Sequence, residues 1–190
     1  MPKKSLGQNF LKDKKILSQI IDAGNLVKGD FVLEIGPGTG NLTEQILEKE
    51  PGEIVVVEKD RDLSDLLKRK FGKKVNVINK DILDCYDEFK FSRPIKVFGN
   101  LPYNISTEIL SKWILNLNQN KIWFSYLVLM FQKEVADRII SKFNSSKYGR
   151  LSILANWKLD VKKMFDIKPL SFSPRPKVES SLLFFSPRKN

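Results

Sequence analysis

The feature that most constrains the fold is an alternation between short apolar runs and stretches of helical spacing. The apolar runs of strand length are FVLEIG, EIVVVE, VNVINKD, IKVFGN and WFSYLVLMF. Between them, RDLSDLLKRKF and STEILSKWIL carry apolar residues every three or four positions, as one buried face of a helix requires. Strands that alternate with helices of this length predict an α/β fold, a doubly wound, mostly parallel sheet with helices on both faces.

The two ends of the chain complete this pattern. DKKILSQIIDAG predicts a helix ahead of the first strand, and KEVADRIISKF predicts one after the fifth. In the tail, ILANWKLDVKKMFDI and VESSLLFFS read as further strands, and we expect the C-terminal strand to run antiparallel to the others. No internal repeat or linker divides the chain, so we expect residues 1–190 to form a single domain.

The charge balance favours an anionic polymer as a partner. The chain has 33 Lys and Arg residues against 22 Asp and Glu residues, a formal net charge of +11. Such an excess favours nucleic acid, because each phosphate that a cation neutralises releases a counterion. A lysine-rich surface without a nucleic-acid partner is the alternative. The cations concentrate at the two ends, at Lys3, Lys4, Lys12, Lys14, Lys15, Lys142, Lys147, Arg150, Lys158, Lys162, Lys163, Lys168, Arg175 and Lys177.

Several residue types are scarce. The chain has no histidine and a single cysteine, Cys85, so we expect neither a structural metal site nor a histidine general base. No run of apolar residues is long enough to cross a bilayer, and MPKKSLGQNF lacks the apolar core of a secretory signal. These features predict a cytoplasmic protein without a membrane partner.

The first motif with chemical content is EIGPGTG, residues 34–40, directly after the first predicted strand. Its three glycines let the backbone approach a ligand closely. The motif lacks the GK[ST] of a phosphate-binding loop, and its third glycine comes one position too early for a dinucleotide fingerprint. S-adenosylmethionine carries no phosphate and its ammonium suits the acidic Glu34, so we expect this cofactor. A glycine turn with no ligand is the alternative.

Two acidic residues at the ends of the next strands extend this prediction. Glu58 ends the second strand, where a carboxylate can accept hydrogen bonds from both hydroxyls of a ribose. Asp81 ends the third strand, where it can accept from an adenine amino group while Ile82 covers the ring. One acid at a strand end is usually only solvated. Acids at the ends of successive strands predict an adenosine pocket.

The segment NLPYNIS, residues 100–106, separates the fourth predicted strand from a helix. It lies at the carboxyl end of that strand, where open α/β sheets bind ligands. The amine of adenine is a poor nucleophile because its lone pair is delocalised into the ring. Hydrogen bonds to the Asn100 side-chain oxygen and the Leu101 carbonyl would favour a reactive amine, while Pro102 fixes the loop and the Tyr103 ring stacks on the base. An ordinary turn is the alternative.

Together these motifs resemble the ribosomal RNA adenine dimethyltransferases. That family includes the kasugamycin-sensitivity enzymes of the small subunit and the erythromycin-resistance enzymes of the large subunit, and EIGPGTG and NLPYNIST follow the small-subunit pattern more closely. The matches run in family order over nearly the whole chain. They are GQNFL, EIGPGTGNLT, VEKD, NKDIL, FGNLPYNIS and FSPRPKVESS, at residues 7–11, 34–43, 57–60, 79–83, 98–106 and 172–181.

The resemblance implies a Rossmann-like class I methyltransferase, a monomer without a metal. It would use S-adenosylmethionine to methylate the N6 amine of adenines in ribosomal RNA, on two adjacent adenosines near the 3′ end of the small-subunit RNA, with a small-subunit precursor as partner. Phe172 would stack on the face of the target base opposite Tyr103. The cofactor residues that the resemblance and the strand ends imply are Asn9, Leu11, Gly36, Glu58, Asp81, Ile82 and Asn100.

One departure from the family pattern concerns the C-terminus. Members of the family usually continue into a small helical domain that helps to grip RNA, whereas this chain stops at FFSPRKN, so we expect a catalytic domain without the helical one. Two other classes stay open. A DNA adenine methyltransferase would flip its base into a similar N-P-P-Y loop, although Leu101 replaces the first proline here. A non-catalytic nucleic-acid-binding factor on the same fold is the second.

Overall fold

The computed structural model describes residues 8–85, 94–117 and 123–188. Within these ranges the chain forms a seven-stranded sheet, a separate two-stranded ribbon and seven α-helices. None of the helices within the same ranges is long and apolar enough to cross a membrane.

The sheet and the ribbon contain nine strands in the described part of the chain. They are β1 (Phe10–Leu11), β2 (Phe31–Ile35), β3 (Glu53–Val57), β4 (Asn76–Ile78), β5 (Ile95–Asn100), β6 (Phe124–Gln132), β7 (Leu159–Ile167), β8 (Phe172–Ser173) and β9 (Ser180–Pro187). The helices are α1 (Lys14–Ala23), α2 (Asn41–Leu47), α3 (Arg61–Phe71), α4 (Ile82–Cys85), α5 (Ser106–Leu115), α6 (Lys133–Ile139) and α7 (Arg150–Lys158).

The main sheet has the strand order β4-β3-β2-β5-β6-β9-β7. The pairs from β4 to β6 are parallel, and β9 is antiparallel to both of its neighbours. The chain first builds outward from β2 to β4 and then returns to place β5 on the other side of β2. This reversal opens a crevice at the carboxyl ends of β2 and β5, where sheets of this kind bind ligands. The doubly wound, mostly parallel sheet and the antiparallel C-terminal strand predicted from the sequence are confirmed.

Alternate residues of the central strands supply two apolar cores, one on each face of the sheet. On β5, Val97 belongs to one core and Phe98 to the other, and both are fully buried. Because such strands are covered on both faces, they read in the sequence as continuous apolar runs rather than as alternating patterns.

Two helices begin where an aspartate accepts hydrogen bonds from the first helical turn. Asp13 accepts from two backbone N–H groups of α1, and Asp60 does the same for α3. These caps satisfy donors that a helix terminus otherwise leaves unpaired. The bounds of α3 match the predicted RDLSDLLKRKF residue for residue, whereas α6 ends at Ile139, earlier than KEVADRIISKF predicts.

The prediction that ILANWKLDVKKMFDI is strand throughout is wrong in its first half. Helix α7 occupies Arg150–Lys158, and β7 follows at once. Leu151, Leu154 and Ala155 have helical spacing and pack into the core that α5 and α6 share. The helical signal was therefore present in the sequence, but the strand pattern that follows it was extended too far toward the N-terminus.

A two-stranded ribbon, which no sequence pattern predicted, attaches the N-terminal segment to the loop between β7 and β9. Leu11 of β1 pairs with Phe172 of β8, and the backbone N–H of Lys12 donates to the Ser171 carbonyl at 2.9 Å. Strands of two residues carry too little periodicity to be recognised from sequence. The ribbon places the N-terminal segment over the carboxyl ends of the central strands.

A buried carboxylate joins β2 to α2. Glu34 is 1% exposed, and its Oε2 accepts a hydrogen bond from the Thr43 hydroxyl at 2.6 Å. Burial raises the pKa of Glu34 to about 8; the Thr43 hydrogen bond opposes the rise and the negative charge of Glu58 adds to it. The folded protein therefore keeps a proton on Glu34 at a pH where the unfolded chain has already released it.

We expect the free energy of unfolding to carry a contribution from Glu34 that falls as the pH rises from about 4.5 to about 8, because only the folded state binds the proton over that range. In Glu34→Gln no proton can be lost, so the melting temperature of this variant should rise relative to the wild type through the same range. Thermal melts at acidic, neutral and mildly alkaline pH measure the difference.

The control for this prediction is Glu53→Gln, which changes an exposed carboxylate at the start of β3. Its melting temperature should keep a constant offset from the wild type at every pH. A Glu34→Gln offset that is equally constant would contradict the buried, protonated carboxyl.

Candidate active site

A cleft opens at the carboxyl ends of β2, β3 and β5, where the strand order reverses. It is the position at which the sequence predicts a cofactor and a target base. Its lining comprises Gln8, Asn9, Phe10, Gly36, Gly38, Glu58, Lys59, Leu63 and residues 100–105. Of the predicted site residues, the structure therefore brings together Asn9, Gly36, Glu58, Asn100, Leu101, Pro102 and Tyr103.

The glycine loop lies against both the NLPYNIS segment and the N-terminal segment. Gly36 has φ +65°, and a Cβ there would lie 3.0 Å from the carbonyl oxygen of Asn100. Gly38 has φ +58°, and a Cβ there would meet the Phe10 ring at 2.6 Å. A side chain at either position would be strained by the backbone and would also push a neighbour away. The glycines thus permit a close approach of three segments around one cleft.

Glu58 fixes the glycine loop to the end of β3. Its Oε2 accepts from the backbone N–H of Gly38 at 3.2 Å, and its Oε1 accepts from the backbone N–H of Asp60 at 2.9 Å. Burial raises the pKa of Glu58, although these hydrogen bonds to the charged form oppose the rise. A carboxylate oxygen can accept more than one hydrogen bond, so both oxygens keep capacity for a ligand.

Asp81 lies outside the cleft lining among the residues that the structure describes. Its Oδ2 lies 2.7 Å from Nζ of Lys59, and its Oδ1 accepts from the backbone N–H of Leu83 at 3.0 Å. Partial burial raises the pKa of Asp81, but the hydrogen bonds from Lys59 and Leu83 outweigh it and lower the pKa overall. Ile82 is 5% exposed and packs in the core. The predicted adenine end of the site is thus held by an ion pair with a cleft residue, Lys59.

The side chain of Asn100 points toward the N-terminal segment. Its Nδ2 donates to the Asn9 carbonyl at 2.8 Å, which fixes the orientation of the amide and places the oxygen Oδ1 on the opposite side of the group. Leu101 is 1% exposed as a residue, yet it belongs to the cleft lining. The turn that follows closes with a hydrogen bond from the Ile105 N–H to the Pro102 carbonyl at 3.1 Å.

Tyr103 is held through its hydroxyl as well as its ring. The hydroxyl lies 2.5 Å from the Ser180 Oγ at the start of β9, and Ser180 is fully buried. Burial raises the pKa of Tyr103, and the hydrogen bond with Ser180 opposes the rise. The sequence assigned only a stacking role to the ring. The structure adds a contact that fixes the ring's orientation over a separation of 77 residues.

The structure does not place Phe172 or Leu11 in this cleft. Phe172 is 2% exposed and Leu11 is 5% exposed, and they pair with each other in the ribbon. Leu11 does border a small gap between the glycine loop and the N-terminal segment, together with Gly36 and Asn100. The Phe172 ring packs in the core beside Leu11. The prediction that it forms the second side of a base sandwich stays a prediction.

Several residues of the cleft were not singled out from the sequence. Gln8 donates from Nε2 to Asp60 Oδ2 at 3.0 Å, which ties the N-terminal segment to the start of α3. Gln8 and Phe10 lie in the recognised GQNFL stretch, and Lys59 lies beside Glu58 in VEKD, so adjacency within a motif was the available signal. Ser180 lies in the recognised FSPRPKVESS stretch as well, but its contact with Tyr103 depends on the antiparallel placement of β9, which the motif does not encode.

No group of three or more His, Cys, Asp or Glu residues within ranges 8–85, 94–117 and 123–188 is arranged to hold a metal ion. The groups that line the cleft are backbone amides, carboxamides, one carboxylate, one ammonium, aliphatic side chains and the two aromatic rings of Phe10 and Tyr103. This set can bind a polar, largely uncharged ligand and orient a flat ring.

Comparison with known proteins places this cleft in a family. The family model described as "Ribosomal RNA adenine dimethylase" matches residues 2–190. The chain is 62% identical over 188 residues to the ribosomal RNA small subunit methyltransferase A of Pelagibacter ubique. The match covers 99% of this chain and 71% of that protein.

Two solved structures have the same architecture. A dimethyladenosine transferase from Plasmodium falciparum has a TM-score of 0.81 and 31% identity, covering 94% of this chain and 63% of the other. The 23S rRNA methyltransferase ErmE has a TM-score of 0.78 and 26% identity, covering 96% of this chain and 71% of the other. With a family model that matches almost every residue and a fold shared with two of these enzymes, the chain belongs to the ribosomal RNA adenine dimethylase family.

Proposed function

We propose that the chain transfers methyl groups from S-adenosylmethionine to the N6 amine of adenines in ribosomal RNA. The observation that carries the proposal is the position of Asn100. Its backbone carbonyl lies against Gly36 of the glycine loop, and its side chain lies at the mouth of the NLPYNIS turn. A residue in this position can contact a cofactor through one part and a target base through another.

The glycine loop and the strand ends form the cofactor half of the site. The space beside Gly36 and Gly38, which any Cβ would fill, suits the methionine end of the cofactor. Glu58 accepts hydrogen bonds from the ribose hydroxyls with its remaining lone pairs. Asp81 and Ile82 hold the adenine end, which requires the cofactor to reach past Lys59. Asn9 and Leu11 close the site from the N-terminal segment, and Asn100 completes it.

The NLPYNIS turn forms the target half. S-adenosylmethionine supplies a methyl group on a positively charged sulfur, which leaves as a neutral thioether. Asn100 Oδ1 and the Leu101 carbonyl accept hydrogen bonds from the two N–H groups of the amine, so that its lone pair points toward the methyl carbon. Pro102 fixes the turn, and Tyr103 stacks on the base. The amine becomes cationic as the N–C bond forms, and its proton is then acidic enough to pass to water without a dedicated base.

Two further residues belong to the proposed target half. Ser180 orients Tyr103 through its hydroxyl, so the stacking face is set before the base arrives. Phe172 stacks on the face of the target base opposite Tyr103, which requires its ring to leave the core position that it has beside Leu11. We also propose that residues 1–190 form the catalytic domain of a cytoplasmic, monomeric enzyme.

The small subunit is the proposed source of the target, on two adjacent adenosines near the 3′ end of its RNA. The relative from Pelagibacter ubique supports this choice through its name and its identity of 62%. A large-subunit target is the second candidate, and the likeness to a 23S rRNA methyltransferase favours it. If the chain acted on DNA or only bound nucleic acid, the assembled Asn100, Pro102 and Tyr103 would have no catalytic role on RNA.

The substrate class can be tested with radiolabelled S-adenosylmethionine and three acceptors: undermethylated small subunits, large-subunit RNA and duplex DNA. We expect label in the small-subunit RNA, located by digestion to N6-methylated adenosines, with mass spectrometry counting the methyl groups on each. Label in the large-subunit RNA or the DNA instead would replace the proposed substrate. Binding of RNA without any label would support the non-catalytic alternative.

The role of Asn100 can be tested with Asn100→Ala. We expect the single-turnover methylation rate to fall about 100-fold, the scale seen when one hydrogen-bond partner of a transition state is removed. Loss of the bond to the Asn9 carbonyl should lower the free energy of unfolding by only about 1 kcal/mol. Single-turnover kinetics at saturating cofactor and RNA, paired with a thermal melt, separate the two effects.

Asn76→Ala is the matched control for this prediction, since Asn76 is exposed at the amino end of β4, away from the cleft. It should retain the wild-type rate. An Asn100→Ala variant that also keeps the wild-type single-turnover rate would show that NLPYNIS is only a turn.

The link between Tyr103 and Ser180 can be tested by replacing Ser180 and, as a control, its neighbour Ser181. Ser180→Ala should lower the rate at subsaturating RNA about fivefold, the scale of one hydrogen bond, because Tyr103 loses its orientation. Ser181→Ala is the control, because Ser181 is equally buried but donates to Asp166 at 2.6 Å instead. Tyr103→Phe removes the same contact from the other side. In the double variant Tyr103→Phe/Ser180→Ala, the loss of rate should match that of either single variant, and additive losses would contradict the link.

A further inference from the structure

The segment from Arg138 to Leu159 has a composition unlike the rest of the chain. It carries five cations, namely Arg138, Lys142, Lys147, Arg150 and Lys158, and no carboxylate. Four of the large apolar side chains that are most exposed in the described residues also lie here: Phe143, Tyr148, Ile153 and Trp157. Cations interleaved with exposed aromatic rings are typical of surfaces that bind single-stranded nucleic acid.

The aromatic rings of this segment are arranged as a pair. Phe143 is 77% exposed and Tyr148 is 37% exposed, and their ring centroids lie 5.9 Å apart in an edge-to-face arrangement. The pair lies on the loop between α6 and α7. That loop is held by Ser152, whose hydroxyl donates to the Arg138 carbonyl at 2.5 Å and accepts from the Gly149 N–H at 3.3 Å. The rings are therefore presented by an anchored loop.

The charges of the segment are only partly neutralised. Arg138 pairs with Glu134, and Lys147 lies 2.7 Å from Asp137. Among the residues that the structure describes, no carboxylate lies within ion-pair distance of Lys142 or Arg150, and both side chains are exposed. A phosphate approaching this surface would thus meet two cations that need not give up a partner.

A groove leads from this loop to the first turns of α5. It runs between α5, α6 and α7 and is lined by the hydroxyl residues Thr107 and Ser111 on one side and by Arg138, Lys147 and Arg150 on the other. Thr107 follows the NLPYNIS turn by one residue. The groove therefore starts one residue after the NLPYNIS segment and reaches Lys147 and Gly149, the two neighbours of Tyr148 in the sequence.

We propose that one surface, here called the α6–α7 surface, binds the single-stranded RNA that flanks the target adenine. It consists of Lys142, Phe143, Lys147, Tyr148 and Arg150. Arg150 and Lys142 contact its phosphates, and the Phe143 and Tyr148 rings stack on unpaired bases, while the groove guides the strand to Tyr103. The surface thereby selects an unpaired strand over a duplex, whose bases present no free faces. This inference rests on the proposed function, because it assigns the flanking contacts of that same substrate.

The test uses the double variant Phe143→Ala/Tyr148→Ala and the single variant Arg150→Ala in the full chain. The binding probe is a short fluorescein-labelled oligo(A) RNA. We expect the aromatic variant to bind it about tenfold more weakly, the scale of lost base stacking. Arg150→Ala should reduce the slope of log affinity against log salt by about one. With the ribosomal substrate, both variants should need more RNA for half-maximal rate while keeping the wild-type single-turnover rate at saturation.

Matched controls lie outside the α6–α7 surface. Arg69→Ala removes the same type of cation from the last turn of α3, and Val27→Ala removes an exposed apolar side chain from the loop before β2. Both should leave the affinity for oligo(A) and the salt slope unchanged. If Arg69→Ala weakens binding as much as Arg150→Ala, net charge rather than this surface explains binding, and the proposal is overturned.

Two other results would also overturn it. Wild-type affinity in the aromatic variant would show that the rings do not stack on RNA. Sedimentation that reveals self-association of the wild type, lost in the aromatic variant, would assign the rings to contact between two copies. Neither result bears on the proposed methyl transfer, which fails separately if the wild-type chain labels no adenine in any acceptor.

Discussion

The close approach of the glycine loop to the end of β5 is the constraint on which the rest of the site depends. The position that a Cβ would take at Gly36 lies 3.0 Å from the Asn100 carbonyl oxygen, so only a glycine allows β2 and β5 to end side by side. Gly38 then admits the Phe10 ring, and Glu58 holds the loop by accepting from the Gly38 N–H. Each of these contacts is made by the backbone or by a buried group, which gives a site that is organised before any ligand binds.

The order of the strands explains why two such distant parts of the chain meet there. Parallel strands joined by helices bring their carboxyl ends to one edge, and the reversal between β4 and β5 keeps that edge open. The antiparallel β9 then enters between β6 and β7, with its first residue, Ser180, at the same edge. Tyr103 is thereby fixed by a strand that lies outside the parallel part of the sheet. The C-terminal strands thus hold Tyr103 in the cleft as well as completing the core.

The sequence predicted the parts of the fold that local patterns control. The apolar runs and the helical spacing of apolar residues placed β2, β5, α1 and α3 almost to the residue, because burial on both faces of a sheet and on one face of a helix leaves direct marks in the sequence. Helix α7 was missed because a helical and a strand pattern adjoin without a break. The ribbon of β1 and β8 was missed because two residues carry no period.

The same distinction holds for the site. Gly36, Glu58 and the NLPYNIS residues were predicted because each follows a strand, and the topology brings strand ends together. The burial of Phe172, the ion pair between Lys59 and Asp81, and the contact of Tyr103 with Ser180 were not predicted. Each depends on side-chain directions across elements far apart in the chain, which composition and spacing do not encode.

Acidic and basic side chains are concentrated in different regions of the molecule. Glu58 and Asp60 are buried at the end of β3, and Asp81 lies next to them, with Lys59 the cation that pairs with it. The Arg138–Leu159 segment, by contrast, holds cations without a single carboxylate. Charges separated by more than about 8 Å are largely screened at physiological salt, so each region acts mainly on what touches it. Under the proposed function, a phosphate backbone is therefore disfavoured next to the acidic groups at the end of β3 and attracted to the α6–α7 surface. Two ligands that both contain adenine can be sorted in this way, because only one of them is attached to a polyanion.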